Sequence, residues 1–163
     1  MKNKLISDKV IETLNFRVNQ EKQSAYLYEQ MSAYLNVIGM LNTAKLWKKY
    51  AEEENSHAQW SIDYLASFDI TVELRDLEAP VNTFKDMGDI VQQTFLHEED
   101  VSLQCLKLAE TAMKEGDFMV FTLAQKYNAE QVEEMDKVNT LLSIMKLSSD
   151  MLVVDNYIGE NLL

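Results

Sequence analysis

The residues best suited to metal chemistry are a glutamate and a histidine three positions apart, in Glu54-Asn55-Ser56-His57. On a helix that spacing puts both side chains on one face. Alone the pattern is weak: with 16 Glu and two His, chance produces it about 0.2 times. It gains force from its surroundings. Steps of three and four residues trace an apolar stripe on each of four helical segments, and acids interrupt every stripe once. The first reads Leu14, Val18, Glu21, Ala25, Tyr28, and the second Trp47, Tyr50, Glu54, His57, Ser61, Tyr64, Phe68. The third reads Val91, Phe95, Glu98, Ser102, Cys105, Ala109, Ala112, and the fourth Val120, Ala124, Tyr127, Gln131, Glu134, Val138, Leu141, Met145. Four carboxylates in one core cannot all stay ionised without compensation, because desolvation and mutual repulsion both oppose it. Either protons or cations must sit among them. Carboxylates with one imidazole suit hard or borderline divalent metals, iron and manganese above all.

The elements that must carry these residues are helices. Four Gly and one Pro leave too few turn residues for a sandwich or an α/β barrel. Ser7 or Asp8 can cap a helix running to about Val37, and Gly39 breaks it. Asn42 or Thr43 opens a second helix to about Phe68. Residues 70–87 hold the sole Pro and no helical stripe, so they read as a long loop. A third helix spans about Gly88 to Lys114, Gly116 and Asp117 make a stop and restart, and a fourth covers about Phe118 to Lys146. Ser148, Ser149 and Asp150 offer caps for a short last helix at about 150–160.

Fully extended, an 18-residue loop reaches roughly 60 Å, whereas a 28-residue helix is about 42 Å long. The second connection can therefore cross the whole bundle, while the first and third are short. The expected fold is all-α: one domain over residues 1–163, a ferritin-like four-helix bundle with a long crossover between helices two and three and a short fifth C-terminal helix. Counted along such a bundle, Glu21, Glu54, Glu98 and Glu134 fall within roughly 6 Å of one level. An all-alternating topology would also cluster them, so the level does not choose between the two.

Charge limits the partners. Net charge is −12 with a pI near 4.5, which repels nucleic acid and anionic lipid and attracts cations. The single cysteine, Cys105, cannot make an internal disulfide and is expected to be a packed, inert thiol. No apolar stretch suggests a leader peptide or a bilayer span, so a cytoplasmic protein is expected.

The segments Val18-Asn19-Gln20-Glu21, Ala51-Glu52-Glu53-Glu54-Asn55-Ser56-His57-Ala58, His97-Glu98 and Ala129-Glu130-Gln131-Val132-Glu133-Glu134, with Tyr28 and Asp155-Asn156-Tyr157-Ile158, resemble the non-haem bacterial ferritins along essentially the whole chain. The resemblance implies a ferroxidase centre that oxidises Fe(II) with O2 or H2O2 and stores Fe(III) as hydrated oxide inside a homo-oligomeric shell of 24 subunits. Glu21 and His57 would complete one iron site, Glu54 would bridge to a second, and Glu98 and Glu134 would complete that one. Gln131 would lie beside the second iron, and Tyr28 would flank the centre. Glu53, Glu130 and Glu133 would form a third iron site toward the cavity.

Helix four lacks the second Glu-x-x-His of bacterioferritins and rubrerythrin-like proteins. The second site would thus offer only oxygen ligands and release iron more readily. Helix two carries no Met, and no haem is expected. Animal ferritins place acids where this chain has Phe121 and Ala124, so the acid-lined access route does not carry over. Ser56 and Gln59 likewise replace two positions of the acidic mineral-nucleation patch of animal light chains. Two alternatives belong to other classes: a di-iron redox enzyme or peroxide scavenger without mineral, and a non-catalytic helical shell.

Overall fold

The computed structural model describes residues 5–163. It contains five helices and no strand among the described residues: α1 Asp8–Val37, α2 Leu41–Ala66, α3 Met87–Glu115, α4 Phe118–Leu147 and α5 Met151–Asn161. Most ends follow the local chemistry of the sequence. Ser7 caps α1 by accepting from the Val10 N–H, and Asp86 caps α3 by accepting from the Asp89 N–H. Gly116 closes α3 with φ of 68°, in the left-handed region, and Asp117 at once caps α4 through the Val120 N–H. Of the three residues offered as caps for α5, Asp150 takes the role.

The second helix departs from expectation. It begins at Leu41 after Met40, which makes no side-chain cap, and it ends at Ala66. Neither Asn42 nor Thr43 is the cap, because the capping carboxylate comes from another helix. Asp155 of α5 accepts from the Thr43 N–H at 2.8 Å, the Thr43 hydroxyl at 2.7 Å and the Asn42 N–H at 3.3 Å. The N-terminus of α2 thus docks α5 onto the end of the bundle.

The 67–86 connection settles the topology that helix levels left open. Three amides spaced four apart on α1 clamp it. Asn15 accepts from the Glu73 N–H, Asn19 bridges the Glu73 carbonyl and the Arg75 N–H, and Gln23 pairs with both backbone groups of Glu78. The loop therefore climbs α1 in the direction of α1 itself. Phe84 then packs on Tyr34 with ring centres 5.2 Å apart. Met87, first in α3, receives the Thr43 hydroxyl from the start of α2. So α2 and α3 begin at the same end and run parallel, and the crossover spans the bundle.

The apolar core is in two pieces. One gathers Tyr28, Leu35, Trp47, Met87, Val91 and Leu141 with the inner face of α5; the other gathers Leu14, Leu65, Val101, Cys105, Val120 and Tyr127. On α1 the gap between the pieces falls between Leu14 and Tyr28, on α2 between Ala51 and Leu65, on α3 between Val91 and Val101, and on α4 between Tyr127 and Val138. Those four gaps hold Glu21, Glu54 with His57, Glu98, and Gln131 with Glu134. A polar layer divides the core at mid-height.

Candidate metal centre

All six of these residues are buried. Glu54 and His57, one turn apart on α2, meet at 3.2 Å between Oε2 and Nδ1. With Glu21 they form a triplet whose ligand atoms lie within 4.8 Å of one another. A second such triplet joins His57, Glu130 and Glu134, with the His57 Nε2 at 3.5 Å from Glu130 Oε1. Histidine thus stands between the two groups. Glu98 belongs to neither; its oxygens receive the Tyr28 hydroxyl and, at 3.0 Å, the Gln131 amide.

Burial and two neighbouring cations set the charge of these carboxyls. Burial pushes the Glu54 carboxyl up to about 8, with Glu98 and Glu134 adding to the rise. It also lifts Glu134 to about 7, against the opposing pull of Lys137. Glu21 is raised well above the ordinary carboxyl range by burial, and it shares a hydrogen bond with Glu54 that needs a proton between them. Two resident cations supply the rest. The guanidinium of Arg17, 1% exposed, meets Glu21 Oε1 at 2.8 Å and donates to Gln104 at 3.0 Å. Lys137 donates to Glu134 at 2.9 Å and to Glu53 at 3.0 Å.

Sequence reasoning missed both cations. Arg17 lies one position ahead of Val18, one turn before Glu21 on the same helix, and an i, i+4 Arg–Glu pair is a signal that could have been read there. Lys137 follows Glu134 by three, a spacing shared by many solvated pairs.

The remaining expected residues are placed as follows. Tyr28 is buried with its ring 6.4 Å from that of Tyr50. Glu53 and Glu130 are half-buried beside the layer, one on Lys137 and the other facing His57, while Glu133 is exposed. His97 turns from the layer to Ser24 at 2.8 Å, an interhelix contact. Cys105 is buried, and burial pushes its thiol up to about 12, so it is inert at neutral pH. Ala124 is fully buried within this bundle and Phe121 packs against the same apolar cluster, so neither offers a polar path.

Carboxylates and an imidazole gathered inside four helices are the ligand arrangement from which helical bundles build core metal sites. The comparisons narrow it. Residues 11–148 match the ferritin-like domain family, and the chain belongs to it. It is 28% identical over 144 residues to the bacterial non-heme ferritin of Escherichia coli, covering 88% of this chain and 87% of that one. A probable bacterial non-heme ferritin-like protein of Haemophilus influenzae is 30% identical over 96% of this chain and 89% of its own. Among solved structures, the open-pore ferritin of the archaeon Archaeoglobus fulgidus superposes with a TM-score of 0.91 at 30% identity, covering 94% of this chain and 98% of that one. No helix among the described residues is long and apolar enough to cross a membrane.

Proposed function

We propose that the 163 residues act as one ferritin-like domain that oxidises iron(II) in pairs and stores the iron(III) as hydrated oxide within a homo-oligomeric shell, of 24 copies by family resemblance. The observation that carries this reading is the buried triplet of Glu21, Glu54 and His57, whose ligand atoms lie within 4.8 Å of one another, continued across the layer by Glu98, Gln131 and Glu134. Such a donor set suits iron(II). Iron is here the substrate. Glu21 and His57 would hold one ion, Glu98 and Glu134 the other, and Glu54 would bridge them. Glu53, Glu130 and Glu133 would receive a third ion on the way out.

Each residue's part follows from its surroundings. Arg17 occupies Oε1 of Glu21, and the proton shared with Glu54 must leave before both carboxylates can take metal. Gln131 and Tyr28 hold Glu98 in place and could later donate to bound oxidant. Binding of divalent ions displaces the protons kept on the raised carboxyls, so loading releases acid. Two iron(II) ions then each lose one electron. Dioxygen takes the pair with two protons and leaves as hydrogen peroxide; where peroxide is the oxidant, it takes the pair with two protons and leaves as water. The acidic surface field gathers iron(II) toward the protein.

The test is Glu54→Ala. Removing the bridge should abolish fast iron(II) oxidation followed by aerobic stopped-flow absorbance. A variant as fast as the parent would refute the site assignment.

A further inference from the structure

Lys137 stands within the charge shell of the site. Its Nζ bonds Glu134 Oε1 at 2.9 Å and Glu53 Oε2 at 3.0 Å. Glu134 is buried, whereas the side chains of Lys137 and Glu53 are 32% and 31% exposed. The ammonium therefore links an inner carboxylate to an outer one, at the edge of the polar layer. Lys137 itself lines a cavity of about 210 Å³, whose walls also carry Lys49, Tyr50, Glu53, Asp136 and Thr140. The other resident cation, Arg17, is fully enclosed and cannot leave. Lys137 can, because its side chain is part-exposed and flexible, its Nζ lies 5.6 Å from the Tyr50 ring centre, and the cavity gives its charge a route to water.

An ion on Glu134, like a third ion on Glu53, would meet this ammonium on the same oxygen, and like charges at that distance repel. We propose that Lys137 is a tethered competitor for iron(II). It neutralises Glu134 and Glu53 when no metal is bound, and it must swing into the adjoining cavity before ions can use these carboxylates. This rests on the iron-oxidation reading above. Its consequence is ordered loading: the Glu21–Glu54–His57 end fills first, and the sites that use Glu134 or Glu53 fill more weakly.

The test is anaerobic calorimetric titration of the assembled, full-length protein with iron(II). The parent should show a tight class and a weaker class of sites. Lys137→Gln should tighten the weaker class about tenfold, equal to about 1.4 kcal/mol, and leave the tight class unchanged. Lys137→Met, which keeps an unbranched side chain of similar length without the charge, should do the same and guards against a folding defect. Lys107→Gln removes an equal charge from an exposed pair with Glu110 and should move neither class. If both Lys137 variants bind as the parent does, or if Lys107→Gln matches them, the competitor role is overturned while the iron site stands. A parent that binds no iron(II) overturns both.

Discussion

Replacing Glu54 by glutamine keeps the shape of the side chain and removes its ionisation. In the metal-free protein, burial holds the Glu54 carboxyl at about 8, against an ordinary 4.5. Between those values the folded chain keeps a proton that the unfolded chain has lost. Stability must therefore fall as pH rises through that window. At 1.36 kcal/mol per pH unit the whole displacement is worth about 5 kcal/mol. Glu21 is also raised and stays in the variant, so the gain from the single change is smaller, on the order of 2–3 kcal/mol. Glu54→Gln should then melt near the parent at pH 5, where both side chains are neutral. At pH 8.5 it should melt higher by roughly 5–10 °C, at about 2–4 °C per kcal/mol for a chain this long. The assay is a series of thermal melts in chelator from pH 5 to 8.5. Parallel curves for parent and variant would refute the reasoning, since they would mean that Glu54 titrates normally. Adding divalent metal should reverse the order, stabilising the parent more than the variant.

Other perturbations probe the scaffold. Asp155→Ala removes the carboxylate that caps α2 from α5 and strands the Asn42 and Thr43 N–H groups; it should cost about 3 kcal/mol, seen as a lower melting temperature. Asn19→Ala releases the crossover at Glu73 and Arg75, so trypsin should cut after Arg75 faster while the initial rate of iron oxidation stays at the parent level. Arg17→Met removes the guanidinium that pulls the Glu21 carboxyl down, so the carboxyl should rise further and tight iron(II) binding should shift to higher pH in anaerobic titrations.

Much of this molecule was legible in the sequence, because its architecture rests on periodicity and turn chemistry. Stripes of three and four residues picked out Glu21, Glu54, His57, Glu98, Gln131 and Glu134, and the structure buries all of them in one layer. Gly116 and Asp117 marked the α3–α4 corner because a left-handed φ and a cap are local demands. What stayed hidden depends on partners far away in sequence. The start of α2 was misread because its capping carboxylate lies 112 residues on, at Asp155. The climb of the crossover along α1 depends on Asn15, Asn19 and Gln23, three amides that look like ordinary surface residues until their backbone partners are known. Helix levels could not choose a topology, whereas the order of those three clamps does. The resident cations escaped for a similar reason: Arg17 and Lys137 carry the commonest surface chemistry, and only burial and distance reveal them as part of the site.

The most direct test of the storage reading is the iron retained per chain after aerobic loading with iron(II) and size-exclusion chromatography. A ferritin-type store should hold many more ions than the two or three that its ligand sets can bind, and the iron should elute with a very large particle. Two ions per chain on a small oligomer would contradict storage and leave a di-iron enzyme. No retained iron would contradict the metal centre itself.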